Sequence, residues 1–147
     1  MRRQQTDRRA GTALVELTFV IFLLVSTLLA TFELSRMLLV YNSVANAARV
    51  AVRYASVHGS TNTGTGVDGP SGPSNTTHIK TIVEDYAKTS LLDVTKLQIT
   101  VTYPDGGASA NAPGSRVRVR VMYDYDPLML LPLSVPLGSL TEGIIVF

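Results

Sequence analysis

The feature that most limits the fold is an uncharged run, Leu17 to Phe32 (LTFVIFLLVSTLLATF). Its sixteen residues span about 24 Å as a helix, short of a hydrocarbon core of about 30 Å. Counting from Thr12 gives twenty-one residues and about 31 Å, a match that takes in one carboxylate, Glu16. The rest of the chain has too little apolar sequence to surround such a helix, so a membrane span is expected rather than a core helix. Arg2, Arg3, Arg8 and Arg9 precede it, which puts the N-terminus in the cytoplasm and the C-terminal part outside. A secretory signal peptide would end in a small-x-small cleavage site. Here the run flows unbroken into ELSRMLLVYNSVANAARVAVRYASV.

The 147 residues suffice for one small domain plus an anchor. With no cysteine in the chain, disulfides, cysteine-based zinc sites and thiol nucleophiles are excluded. The basic pI of about 9.1 belongs to the leader. Setting aside its four arginines and one aspartate, the 13 basic and 11 acidic residues become nine and ten. A nucleic-acid partner is not expected, because phosphate binding needs cations clustered on the folded face.

Glu16 sits inside apolar sequence five residues beyond Gly11. A charge at membrane depth costs about 2.5–3.5 kcal/mol on insertion scales, so such a residue calls for a partner. A cut between Gly11 and Thr12 would supply one, the new α-amino group. That amine could meet Glu16 of the same chain, four residues on and on the same helix face. It could equally meet Glu16 of a neighbouring subunit and set the axial register of an assembly.

A basic leader, Gly11, Glu16 as the fifth residue after the cut, and an apolar helix resemble the type IV prepilin signature. The resemblance narrows further along. Gly11, Glu16, Glu33, Arg36, Ala47, Ala48, Arg49 and Arg53, with Val52 where alanine is usual, look like the TadE-like family of tight-adherence (Flp) pilus systems. The likeness covers about residues 11 to 57. Thr12 and Leu14-Val15-Glu16 depart from the Phe start and Leu-Ile-Glu run of classical pilins, and the chain is much longer than the major Flp pilin. The resemblance therefore implies a minor pilin or pseudopilin in a bacterial inner membrane, its head extracytoplasmic. Its partners would be a prepilin peptidase, other pilins or pseudopilins of the same system, and membrane lipid. No cofactor, metal or small-molecule substrate is expected, and no enzymatic activity. The competing class is an uncut single-span protein displaying a ligand-binding head.

Glu33 and Arg36 are three apart, within pairing distance on a helix. They are read as an outer headgroup marker or, alternatively, as an assembly contact. Beyond them Asn42, Asn46, Arg49 and Arg53 form a polar stripe, opposed by Leu38, Tyr41, Ala45, Ala48, Val52 and Ala55. Gly59 reads as a C-cap. Residues 58–77 are rich in Gly, Ser, Thr, Asn and Pro and are expected to form a flexible loop. Gly64, Gly66 and Gly69 satisfy G-x-G-x-x-G by count, but no strand precedes them and Pro70 and Pro73 follow, so dinucleotide binding is rejected.

Residues 78–147 form the expected head. Thr77 is a plausible N-cap for a helix with Ile79, Ile82, Val83, Tyr86 and Leu91 apolar. Leu97, Ile99, Val101 and Tyr103 alternate with polar residues, as do Val117, Val119, Val121, Tyr123 and Tyr125. Each segment suits a half-covered antiparallel sheet. A third strand is expected from the terminal GIIVF, with Pro127, Pro132 and Pro136 keeping the preceding stretch irregular. Asp124 and Asp126 are expected to pair with Arg118 and Arg120. His58 and His78, twenty residues apart, suggest no metal site. The expected fold is α+β and pilin-like, with a leader over 1–11 and a long helix over 12–57. That helix packs with a short second helix on a small antiparallel sheet.

Overall fold

The computed structural model describes residues 3–90, 92–107, 110–128 and 134–147, with side chains from Gly11 onward. A first helix, α1, runs from Arg3 to Val57 without interruption. Its outer part carries the core. Val44, Ala47, Ala48, Ala51, Val52 and Ala55 are all buried and recur at the spacing of one helix face. Four alanines in this set let the sheet approach the helix closely. Leu38 and Tyr41, expected on this face, are 58% and 45% exposed. Full burial of apolar side chains therefore begins at Val44, with Met37 and Val40 half-buried against the core on the turns before it.

The second helix, α2, spans Thr77–Thr89 and buries Ile79, Val83 and Ala87. Its N-cap is Thr76, one residue earlier than expected, and it makes no side-chain capping bond. Leu91 lies outside the described residues. Both helices pack on one face of a three-stranded antiparallel sheet, β1 (Leu97–Thr102), β2 (Arg116–Tyr125) and β3 (Val135–Ile144), ordered β1-β2-β3. The central strand supplies the apolar floor, with Val117, Val119, Val121, Tyr123 and Tyr125 all turned inward and buried. This α+β, pilin-like arrangement is the one the sequence predicts.

The third strand corrects the expectation. It is Val135–Ile144, not the terminal pentapeptide, and it pairs with β2 from Tyr125↔Val135 to Arg116↔Ile144. Pro136 is its second residue. An edge strand tolerates proline there, because no further strand needs its N–H. Pro127 precedes the strand, and Pro132 lies outside the described residues. Of the apolar tail, Ile145 alone is buried, while Ile144, Val146 and Phe147 are 58–61% exposed. Ile145 is held by its N–H to Ser115 O at 2.9 Å and by Gly114 N–H to its own carbonyl at 2.8 Å.

The 58–77 segment holds more order than a free connector. A short 3₁₀ turn spans Gly66–Asp68, and Gly72 bridges Asn75. Ser71 is 1% exposed. Its N–H and hydroxyl both donate to His58 O, at 2.6 and 2.9 Å, while Asn111 Nδ2 donates to Ser71 O at 3.0 Å. Composition favoured mobility, but these bonds satisfy polar backbone near the end of α1 and fasten the loop there. Gly59 is also a correction. It is not among the described glycines with positive φ, so it is no left-handed cap. It is buried where the end of α1 meets the chain terminus.

Candidate functional site

The inner part of α1 projects away from the core. Every large apolar side chain from Leu14 to Phe32 is at least 40% exposed, and the most apolar window of the helix is entirely unburied within the chain. Side-chain hydroxyls there are satisfied within the helix. Thr18 donates to Leu14 O at 2.8 Å, Ser26 to Phe22 O at 2.7 Å, Thr27 to Leu23 O at 2.9 Å, and Thr31 to Thr27 O at 2.8 Å. This is what a lipid environment requires of polar groups, since no water is at hand. Gly11 lies within the helix, and a side chain there would meet nothing within 4 Å. Thr12 follows it, and Glu16 is exposed one turn further on.

Asn42, Asn46, Arg49 and Arg53 are all exposed, as the polar stripe requires. Arg49 Nη1 donates to Asn46 Oδ1 at 2.9 Å. Glu33 behaves differently. It is 6% exposed, and Oε1 accepts from Tyr125 OH at 2.5 Å and from the Leu128 N–H at 3.3 Å. Arg36 Nη1 stands 3.6 Å from the same oxygen, and its guanidinium lies 5.2 Å from the centroid of the Tyr125 ring, a cation–π distance. The sequence suggested only the Glu33–Arg36 half of this junction. The head supplies the rest, so the carboxylate is engaged within the chain. A tyrosine ending an inward-facing strand signals a need for a hydroxyl partner, but the partner is 92 residues away. Burial, and secondly the bond to Glu33, push the Tyr125 hydroxyl above its ordinary pKa.

The arginine row on β2 finds partners other than those expected. Arg118 Nη2 meets Glu142 at 2.6 Å. Arg116 meets Asp105 at 2.8 Å and Glu142 at 3.7 Å. Asp126 instead pairs with Lys96 at 2.6 Å, and Arg120 has no ion pair among the described residues. Cross-strand neighbours are closer than residues along one strand, which is why β3 supplies the counter-charge. Among the described residues no group of three His, Asp or Glu could hold a metal. His58 stacks on Tyr54 with ring centroids 3.8 Å apart.

Asp105 carries a pH prediction. Side-chain and then backbone hydrogen bonds from Arg116 hold its carboxyl below the usual range. A lowered folded pKa means the contribution is present above the unfolded value of about 3.9 and fades as pH falls through the folded one. Asp93, lowered by Thr95, acts in the same direction. Asp105→Asn should flatten the acid limb of the melting-temperature profile below about pH 4. An unchanged acid limb would show that the pair adds nothing in solution.

Residues 11–53 match the family model of TadE-like proteins. That stretch carries the resemblance seen in the sequence, and it contains Gly11, Glu16, Glu33, Arg36 and the whole polar stripe. No curated protein and no solved structure gives a significant match. The TadE-like match ends inside α1, so the second helix and the sheet lie beyond it. It associates the chain with Tad pilus systems, and the long apolar helix fits membrane association.

Proposed function

We propose that this chain is a minor pilin or pseudopilin of a tight-adherence (Flp-type) pilus machine, cut after Gly11 and assembled through its N-terminal helix. The observation that carries this reading is the apolar helix face from Leu14 to Phe32. Its large apolar side chains are all exposed, it carries Glu16 as its single charge, and it lies in the TadE-like segment. A helix with its apolar side chains outward is suited to lipid before assembly and to other helices afterwards. Within such a bundle Glu16 of one subunit meets the Thr12 amine of its own chain or of the next, which sets the register. The partners are a prepilin peptidase and sister pilins, and the chain sits in the bacterial inner membrane with its head outside.

The test is N-terminal sequencing and intact mass of the protein isolated from its native cell. Mature protein beginning at Thr12 is expected. A chain that retains Met1 or Arg2 would overturn the pilin reading and leave an uncut single-span membrane protein.

A further inference from the structure

The exposed apolar surface of α1 continues past the uncharged run. Leu34, Leu38 and Leu39 lie beyond Glu33 and are 61%, 58% and 68% exposed. On the head, Leu128 is 67% exposed, and its N–H donates to Glu33 Oε1. Leu128 therefore stands level with Glu33, at the end of the sheet nearest the apolar run. From Leu14 to Leu39 is about 38 Å along the axis, and a tilt of about 20° shortens the projection only to about 35 Å. With Leu14 at the inner edge of a core about 30 Å thick, the outer edge falls near Leu34. Glu33 and Leu128 are then at the outer edge of the hydrocarbon, where an uncovered carboxylate is costly. Tyr125 and Leu128 cover it.

We propose that the lower end of the head is seated in the outer leaflet, with Leu34 and Leu128 against lipid acyl chains and Leu38 and Leu39 in the headgroup layer just beyond them. The occupant is lipid because the patch is continuous with the membrane-facing surface of the same helix. Between Leu17 and Ala48 the charges are Glu33 and Arg36 alone, one buried and the other set over the Tyr125 ring. The inference rests on α1 crossing the membrane and adds a second contact made by the head.

The chain has no tryptophan, so a single introduced indole reports its own depth. Leu128→Trp, Ile21→Trp and Leu140→Trp all replace exposed side chains, and none leaves a cavity. Each full-length variant is placed in phosphatidylcholine–phosphatidylglycerol vesicles whose acyl chains carry bromine at shallow or deep positions. Ile21→Trp is expected to be quenched by deep bromine, and Leu140→Trp by aqueous acrylamide alone. Leu128→Trp should be quenched by shallow bromine several-fold more than Leu140→Trp and be shielded from acrylamide. If it follows Leu140→Trp, the head stands clear of the lipid and the proposal fails. Shielding from both quenchers would mean a protein surface covers the patch, which overturns it equally. If bromine leaves Ile21→Trp unquenched, the membrane-spanning reading beneath the proposal fails instead.

Discussion

Gly59→Ala is expected to destabilise the head by about 3 kcal/mol, the upper end of overpacking costs, and to lower its melting temperature by about 12 °C or more. A Cβ at this position would stand 2.0 Å from Phe147 O, 2.3 Å from Ile145 Cγ2 and 2.7 Å from Asn111 O. Two of the three are backbone atoms, so no side-chain rotation relieves the clash. The terminal segment would have to lift, which breaks the Val146 N–H bond to Ser56 O at 2.8 Å and exposes Ile145. Gly11→Ala, with nothing within 4 Å, is the matched control and should leave the melt unchanged. The measurement is a thermal melt of the full chain in detergent, followed by near-ultraviolet circular dichroism. A loss below about 1 kcal/mol would fit a simple conformational preference for glycine and refute the close contact.

The second large effect concerns the junction between helix and head. Glu33→Leu removes the acceptor of both the Tyr125 hydroxyl and the Leu128 N–H. The orphaned Tyr125 hydroxyl is buried and costs about 1–3 kcal/mol, and the part-buried Leu128 N–H costs less. A total loss of about 2–3 kcal/mol is expected once partial solvation of Arg36 is allowed for. Adding Tyr125→Phe should recover part of it, because removing both partners of a buried hydrogen bond is far less costly than removing one. The double-mutant cycle on head melting should show a coupling of about 1–2 kcal/mol. Strictly additive losses would mean that the two side chains do not depend on each other.

The legible parts of this chain are those whose signal is local. The membrane run is visible because sixteen residues carry no charge, and β1 and β2 because bulky and polar residues alternate. The third strand was hidden because its inward positions include Ser139, Thr141 and Gly143, small residues that give no apolar rhythm. They are small because α1 lies directly above: a side chain at Gly143 would reach within 2.5 Å of Val52 Cγ1. The same closeness explains Gly59. Glu33 was legible as half of a pair with Arg36, three residues on. Its principal partners lie 92 and 95 residues away, and no periodicity reports a contact of that kind. The proposed cut after Gly11 and the proposed role of Glu16 concern chemistry between molecules, which the fold of a single chain does not test.

Sharp helix kinks arise at proline, glycine pairs or local bulges, and from Thr12 to Val57 the sequence has neither proline nor glycine. The helix is continuous over that stretch, and the sheet grips its far third directly through Val44 to Ala55. The molecule is consequently built as a rod with a load fixed to one end and no joint between. A displacement applied to the apolar half, along the axis or as a rotation about it, meets no break in the helix before it reaches the head.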